Sequence, residues 1–343
     1  VLVFVLAIGM GTKKSDGYTM HLLRAESPGP KVSKLVPKMK DTTKILYSIY
    51  IALTVLNFIF LLFGRMPVFD AVCTALGTAG TGGFGIKNDS MASYSPYIQN
   101  VCTVFMLLFG VNFSCYYLAM LRHFKSVIKD EEIRMYFGIV LGSIILISLN
   151  IRGLYPTLEE TIRHAAFQVS SIITTTGFAT TDFDKWPGFS KAIILSLMVL
   201  GACAGSTGGG IKISRVMIMA KLAKNEFSHL IHPKRVRQIS LEKHVVNKET
   251  LRSISVFFIA YTFIYATSVL LISLDNLDFT TNFTAVAATL NNIGPGLGMV
   301  GPTSNFSVYS DPAKYVLMFD MLAGRLELFP MLLLFAPSTW KRN

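Results

Sequence analysis

The chain has 343 residues, of which 52% are hydrophobic and only 15% carry a charge. A soluble domain usually carries about a quarter charged residues, so this deficit indicates that a lipid bilayer is the solvent. The net charge of +12 would suit nucleic acid, but few aromatic residues stand among the lysines and arginines to stack on bases, and no nucleic acid partner is expected. The basic segments should instead attract anionic membrane lipid.

The first segment, Val1–Met10, is apolar but too short to span a bilayer, and Lys13 and Lys14 follow it. It lacks the charged start and the small-residue cleavage site of a signal peptide. We interpret residues 1–12 as the end of a helix whose beginning is absent. Because the chain starts with Val rather than Met, we expect it to be a fragment.

Six apolar windows follow, each long enough, alone or with flanking residues, to cross about 30 Å of hydrocarbon as a helix. They are Ile45–Phe63, Tyr97–Leu121, Tyr136–Leu149, Ala192–Met219, Ile254–Leu274 and Tyr315–Ala336. Basic residues cluster in alternate connections, Lys13–Lys44, Arg122–Arg134 and Lys212–Arg252. This is the positive-inside pattern, which places these three connections in the cytoplasm. The sequence therefore predicts an all-α membrane protein.

A repeated unit joins these windows. Short segments of about a dozen residues, too short to span, lie between successive windows and end in polar, glycine-containing loops. The segments are Asp70–Thr81, His164–Thr176 and Asn282–Ile293, aligned on Gly82, Gly177 and Gly294. The unit is thus helix, short re-entrant helix, pore loop, helix. We predict three complete units plus the end of a first, arranged around a pseudo-fourfold pore.

The repeat also predicts how the chain is divided. In order, we expect the end of the first unit at 1–12, a cytoplasmic connection at 13–44, the second unit at 45–121, a connection at 122–134, the third unit at 135–220, a connection at 221–250, and the fourth unit with the C-terminal tail at 251–343. Because the units differ in sequence, the ring should be less selective than one of four identical loops.

The glycine-containing loops suit a cation path. Non-helical backbone survives at membrane depth only inside protein or beside water. Glycine adopts positive φ angles that other residues resist, so successive carbonyls can face one side and replace the water around a cation. We predict a filter of backbone carbonyls, with the hydroxyls of Thr81 and Thr176 near the pore. The alternative is that these stretches are ordinary turns between helices.

A second glycine-rich stretch, GACAGSTGGGIK, interrupts the window Ala192–Met219. We call this segment, Gly201–Lys212, the gate loop. Its five glycines oppose a stable helix, and an unwound segment within a membrane usually lies beside a cavity. We predict that it obstructs the path below the filter and moves aside. Close helix packing through small residues is the alternative.

Arg325 lies within the last window, where a charge costs about 2.5–3.5 kcal/mol on insertion scales. Asp320 and Glu327 are on the same helix, but neither has the spacing of three or four residues that shares a face with Arg325. We predict a buried arginine that raises a barrier to cations beside the path. The alternative is a structural ion pair with another helix.

No catalytic set emerges, and we expect neither an enzyme nor a covalently bound cofactor. The segment GSTGGGIK has the wrong glycine–lysine spacing for a phosphate-binding Walker loop. Four cysteines lie in or beside apolar windows, and we interpret them as small buried apolar residues without a disulfide or a metal site. They are Cys73, Cys102, Cys115 and Cys203.

Several long motifs, in order along almost the whole chain, resemble the TrkH family, the membrane subunits of bacterial Trk potassium uptake within the Trk/Ktr/HKT superfamily. They are LLRAESPGP (Leu22–Pro30), FDAVCTALGTAGTGGFG (Phe69–Gly85), SSIITTTGFATTDFDKWP (Ser170–Pro187), GSTGGGIKISR (Gly205–Arg215), NNIGPGLG (Asn291–Gly298) and AGRLELFPMLLLFAPSTWKR (Ala323–Arg342). The family's first pore loop and the helices before it have no counterpart here.

The resemblance implies uptake of K⁺ across the bacterial inner membrane, four helix–pore–helix units, a homodimer, and a cytoplasmic nucleotide-binding regulatory subunit of the TrkA type. It implies that K⁺ is held by carbonyls at Gly80, Thr81, Gly82, Thr175, Thr176, Gly177, Asn292, Ile293 and Gly294. It implies a gate formed by Gly205, Ser206, Thr207, Gly208, Gly209, Gly210 and Lys212 of the gate loop together with Arg325.

Two other functions remain open from the residues. One is a secondary transporter for a small organic solute, with discontinuous helices and twofold internal symmetry. The other is a non-conducting membrane scaffold. The residues also leave open channel or symport transport, the coupling ion and the regulatory nucleotide.

Overall fold

The computed structural model describes residues 39–232, 238–241, 244–326, 328 and 331. Over these residues the chain forms twelve α-helices. They are α1 (Met39–Phe63), α2 (Val68–Ala79), α3 (Pro96–Phe109), α4 (Phe113–Met120), α5 (Phe124–Ile128), α6 (Glu131–Ile151), α7 (Leu158–Ile173), α8 (Gly188–Val199), α9 (Ile213–Ile231), α10 (Lys248–Ile272), α11 (Phe279–Leu290) and α12 (Asp311–Leu326).

Extended structure is small in the described part of the chain. The strands β1 (Ser240–Leu241) and β2 (His244–Val245) pair antiparallel between α9 and α10. Short 3₁₀ turns lie in the connections around the re-entrant helices, at Phe183–Lys185, Ser273–Asp275, Gly298–Val300 and Phe306–Val308. Apart from this pair of strands and the loops, the described residues are helical, as the apolar windows predict.

Three described helices are long and apolar enough to cross a membrane, by length and composition: Lys44–Phe63, Glu131–Ile151 and Lys248–Asp275. The window Tyr97–Leu121 instead forms two helices, α3 and α4, bent by 90°. The expectation of one continuous helix there is therefore wrong. The window Ala192–Met219 is divided between α8 and α9, with no helix over 200–212.

Local chemistry explains the bend between α3 and α4. Gly110 ends α3, and the side chain of Asn112 accepts a hydrogen bond from the backbone N–H of Ser114 at 2.9 Å to begin α4. A Cβ built on Gly110 would contact the Thr174 side chain at 2.8 Å, so a larger residue does not fit. Gly110 followed by an N-cap asparagine thus ends one helix and starts another.

The three short helices α2, α7 and α11 each follow a spanning helix, and each buries part of its surface in the protein. Caps define two of their starts, since the side chains of Thr157 and Asp278 accept hydrogen bonds from Glu160 N at 3.2 Å and Thr281 N at 3.0 Å. Each short helix contributes buried residues to a different hydrophobic cluster, for example Ala75, Ile172 and Val286.

The expected closing helix at 1–12 lies outside the described residues, as do most of the connection at 13–44 and most of the tail beyond Leu326, including Glu327. The division of the chain into repeat units stays a prediction. What the structure provides is three short helices, each with its own loop, converging near the gate loop.

Candidate functional site

The three short helices end in the same unusual backbone conformation. The second residue after the last helical one is left-handed in each case, with φ of 50° at Thr81, 57° at Thr175 and 56° at Asn292. A β-branched residue such as threonine rarely adopts positive φ. Such strain costs of order 1–3 kcal/mol and persists where the surrounding structure imposes it, often at functional sites.

Hydrogen bonds give the three loops one common register. In each loop, the residue after the left-handed one donates its backbone N–H to the carbonyl five residues earlier, inside the short helix. The pairs are Gly82 N to Gly77 O, Thr176 N to Ser171 O, and Ile293 N to Ala288 O, each at 2.8 Å. We define the filter loops by this register as 80–83, 174–177 and 291–294.

This register corrects the alignment of the first filter loop by one residue. The next left-handed positions are Gly83 (φ 62°), Gly177 (φ 87°) and Gly294 (φ 109°). Gly83, not Gly82, therefore corresponds to Gly177 and Gly294. The stretch TAGTGGFG contains adjacent glycines, so composition alone could not choose between them.

The filter loops pack directly against one another. A Cβ built on Gly83 would overlap the carbonyl oxygen of Thr176, and one on Gly177 would overlap the carbonyl oxygen of Ile293. In both cases, the left-handed glycine of one loop contacts the carbonyl of the residue just before the equivalent glycine in the next loop. Gly294 differs, since its Cβ direction meets nothing within 4 Å among the described atoms. All nine predicted filter residues lie in or at the start of these loops.

The gate loop lies against the ends of the short helices. A Cβ on Gly208 would lie 3.1 Å from the carbonyl oxygen of Thr174, and one on Gly209 would lie 2.6 Å from that of Asn291. Thr174 and Asn291 are the residues that close α7 and α11. The glycines here permit a close approach of backbone to backbone that a side chain would prevent.

Side chains of the left-handed filter residues bond to the elements beneath them. The hydroxyl of Thr81 donates to Thr207 O at 2.9 Å, and that of Thr175 accepts from Gly209 N at 2.6 Å. The amide of Asn292 donates to Met321 O of α12 at 3.1 Å. Sequence reasoning missed these links. It expected the hydroxyls of Thr81 and Thr176 near the pore, whereas the hydroxyl of Thr176 bonds to that of Thr174.

The bend between α3 and α4 holds the gate loop from the side. Three hydrogen bonds cross this contact: Cys203 N to Gly110 O at 3.1 Å, Phe113 N to Gly205 O at 3.1 Å, and Thr207 N to Phe109 O at 3.4 Å. Interrupting a helix frees backbone groups that need partners. We call this contact, between residues 109–113 and 203–207, the seam. Sequence reasoning missed it, although Gly110 and Asn112 signal a helix boundary.

Within the gate loop, glycines again take the left-handed positions, with φ of 70° at Gly205 and 68° at Gly210. Ser206 donates to Cys203 O at 2.6 Å, and the buried Lys212 donates its ammonium to Gly208 O. The loop is therefore an ordered turn structure. The predicted gate residues of this segment lie together, next to the filter loops.

Arg325 is exposed in this chain, so the expectation of a buried arginine is wrong. Its guanidinium donates to Thr207 O at 3.4 Å and to Gly80 O at 3.5 Å. These carbonyls belong to the gate loop and to the first filter loop. The position near the end of α12 places the charge beside both loops, and the side chain stays accessible to solvent.

Other candidate chemistry is sparse in the described residues. No group of three or more His, Cys, Asp or Glu side chains there could hold a metal ion. All four cysteines are free thiols, three of them buried and Cys73 half-buried. The site is thus one of backbone carbonyls and hydroxyls, with one accessible cation, Arg325. Such a site can replace hydration around an ion.

Fold and site together define a class: a multi-pass helical membrane protein in which re-entrant helices bring non-helical loops side by side. The profile of the TrkH family, described as a cation transport protein, matches residues 2–152 and 153–342. The chain belongs to this family.

Individual relatives agree with that assignment. The chain is 37% identical over 327 residues to the Trk system potassium uptake protein TrkH of Salmonella typhimurium, covering 94% of this chain and 67% of the relative. It is 34% identical over 325 residues to TrkG of Escherichia coli, covering 93% and 66%. The crystal structure of the potassium transporter TrkH from Vibrio parahaemolyticus superposes with a TM-score of 0.84 at 32% identity, covering 99% of this chain and 72% of that one.

Proposed function

We propose that this chain takes up K⁺ across the bacterial inner membrane, as most of the membrane subunit of a Trk-type system. The relatives are named as potassium uptake proteins, and the superposed structure is that of a potassium transporter. K⁺ is the transported ion, moved without covalent chemistry. The membrane potential supplies about 2.3 kcal/mol per charge per 100 mV for this movement.

The common register of the filter loops carries the proposal. Stripping a small cation of water costs tens of kcal/mol by Born estimates, so several oxygens must replace the water together. Gly83 and Gly177 each lie against a backbone carbonyl of the next loop, so the three loops pack side by side. Alternating left-handed residues allow successive carbonyls to face one axis. A ring built this way coordinates K⁺ with backbone oxygens.

The gate loop and Arg325 form the barrier below the filter in this proposal. The loop contacts the closing residues of two short helices, and Arg325 bonds to both the loop and Gly80. A positive charge beside a cation path opposes passage electrostatically. Movement of the loop and the arginine together opens the path.

Two partners belong to the same proposal. The relatives are named as components of a Trk system, which supports association with other Trk components. We propose a homodimer and a cytoplasmic nucleotide-binding subunit of the TrkA type that controls the gate. Transport of an organic solute fits less well, since it calls for twofold symmetry, whereas three loops here share one register.

Serine substitutions at neighbouring glycines test the filter. Gly83→Ser and Gly177→Ser place a Cβ on a neighbouring carbonyl at a left-handed position, so K⁺ uptake should be lost, or its preference over Na⁺ should fall about tenfold for each 1.4 kcal/mol of lost coordination. Uptake is measured with the full-length gene in a bacterial strain that lacks other potassium uptake systems, and ion preference in reconstituted vesicles.

Gly82→Ser is the matched control for this experiment. Its Cβ would lie 3.2 Å from the ring of Phe84, an exposed side chain that can move aside. We expect this variant to keep most of its uptake and its K⁺ preference. Equal behaviour of Gly82→Ser and Gly83→Ser, or unchanged preference in both Gly83→Ser and Gly177→Ser, would remove the filter from the proposal.

A further inference from the structure

Glu132 is a buried carboxylate of α6 that contacts the gate loop. It lies in the first turn of α6, just after the N-cap Asp130, and is only 2% exposed. Burying an ionised carboxylate is costly unless hydrogen bonds compensate it. The partners of this carboxylate therefore show which part of the gate loop it stabilises.

One oxygen of Glu132 bonds to two backbone amides, one within the gate loop and one just after it. Its Oε1 accepts from Ala204 N at 2.7 Å and from Ser214 N at 3.1 Å. Ala204 precedes the segment Gly205–Lys212, and Ser214 lies in the first turn of α9, which follows it. Hydrogen bonds from backbone N–H groups to a carboxylate are charge-assisted, and the start of a helix favours a negative charge.

We propose that Glu132 is a positioning residue that keeps the gate loop closed. This inference rests on the proposed function, in which the gate loop closes the ion path. By fixing Ala204 and Ser214 to α6, the carboxylate holds both ends of the intervening turn in place. Loss of this anchor removes the carboxylate bond at each end of this turn, while the seam and the links to Thr81 and Thr175 remain.

The preceding residue, Glu131, supplies a matched control. It has the same charge and lies on the same helical turn, but its side chain is 34% exposed and pairs with Lys221 of α9. It has no bond to Ala204 or Ser214. A change at Glu131 therefore alters the net charge and the cytoplasmic surface without removing the anchor.

The native Cys203 reports the state of the loop. Its side chain is 0% exposed and its backbone N–H bonds to Gly110 O at 3.1 Å in the seam. In full-length protein reconstituted in vesicles, with the other cysteines replaced by serine, its rate of modification by a charged thiol reagent measures opening. A parallel protein keeping only Cys102, also 0% exposed, reports general loosening.

Glu132→Ala should raise the Cys203 modification rate about tenfold, the order expected from losing charge-assisted bonds, and should raise Rb⁺ flux without any regulatory partner. Glu132→Gln keeps one acceptor oxygen and should give a smaller increase in both. Glu131→Ala should match the parent protein, and Cys102 should stay protected in every variant.

Unchanged Cys203 modification in Glu132→Gln and Glu132→Ala overturns the inference, and so does a parallel rise at Cys102, which means general unfolding. If Glu132→Ala does not fold, Glu132→Gln decides alone. Faster Cys203 modification with unchanged Rb⁺ flux supports the anchor but overturns the loop's role as the gate, so the two failures are distinguishable.

Discussion

The filter loops and the gate loop are both glycine-rich and non-helical, yet they are held in different ways. Each filter loop bonds back to its own short helix, as Thr176 N does to Ser171 O at 2.8 Å. The gate loop has internal bonds too, such as Gly201 N to Ile211 O at 2.7 Å, but it also depends on distant parts of the chain. Its partners include Gly110 of the seam, Thr175 of a filter loop and Glu132 of α6.

This difference separates a fixed element from a releasable one. A loop closed by bonds within one short segment keeps its shape whenever its helix forms. A loop whose bonds come from other helices changes shape when those helices shift, because each bond can be lost separately. In the proposed function, the self-contained loops are the filter and the loop held by other helices is the gate.

The largest effect should come from Arg325→Ala, which sharpens the comparison by removing the positive charge beside the gate loop. Flux should rise about tenfold or more, because a unit charge a few ångströms from a cation contributes about 4 kcal/mol at an effective dielectric constant of 20. The preference for K⁺ over Na⁺ should stay unchanged, since the filter loops keep their own bonds. Tracer flux into vesicles measures both.

Arg152→Ala, at the exposed end of α6, is the control for charge removal. We expect it to leave flux unaltered. Lost expression of Arg325→Ala with no surviving flux would instead favour a structural role for Arg325.

A smaller effect is expected from Thr175→Val, which removes the acceptor for Gly209 N. Leaving a buried N–H unpaired costs about 1–3 kcal/mol, so the gate loop should loosen and basal flux should rise several-fold. Thr175→Ser keeps the hydroxyl and should stay close to the parent protein. Identical flux in the two variants, measured in vesicles, would show that this bond does not couple filter and gate.

The smallest effect concerns the start of α11. The hydroxyl and backbone N–H of Thr281 donate to Asp278 and lower the pKa of that carboxyl below its usual range. A lowered pKa stabilises the folded state above the ordinary carboxyl pKa, and this stability is lost as pH falls through the lowered value. Asp278→Ala should therefore lower the unfolding temperature at neutral pH and less so in acid.

Asp89→Ala, an exposed loop carboxylate, serves as the comparison in these melts. Equal shifts for the two variants at every pH would contradict the capping role of Asp278. Ion preference should change in neither, because the loop that ends α11 has its own backbone bonds.

Sequence alone predicted the helical membrane class and the region of each short helix, because apolar length and interrupted hydropathy are local properties. The predicted bounds of these helices were shifted, most of all for α7, which begins at Leu158 rather than His164. It also located the glycine-rich loops. It placed Gly82 where Gly83 lies, since adjacent glycines look alike until φ angles and neighbouring carbonyls are known. Arg325 was expected to be buried because its sequence neighbours are apolar. The sequence does not show how much solvent reaches the side chain in the folded protein.

Long-range partners were the other limit. Glu132 precedes an apolar window and looks like an ordinary helix-start acid, which its first-turn position would explain by itself. Its bond to Ala204 spans 72 positions, and no local pattern encodes that distance. The bend at Gly110 had a readable signal, a glycine followed by an N-cap residue, but the long apolar window obscured it.

The seam also bears on how the molecule assembles. It joins Phe109–Phe113 with Cys203–Thr207, stretches that are made about a hundred residues apart. The gate loop therefore acquires its final shape only after α3, α4 and α8 have all been inserted. Until then, the backbone groups of each stretch lack their hydrogen-bond partners in the other. Formation of this contact is therefore a late step in biogenesis, and changes here should give variants that insert but do not reach the final fold.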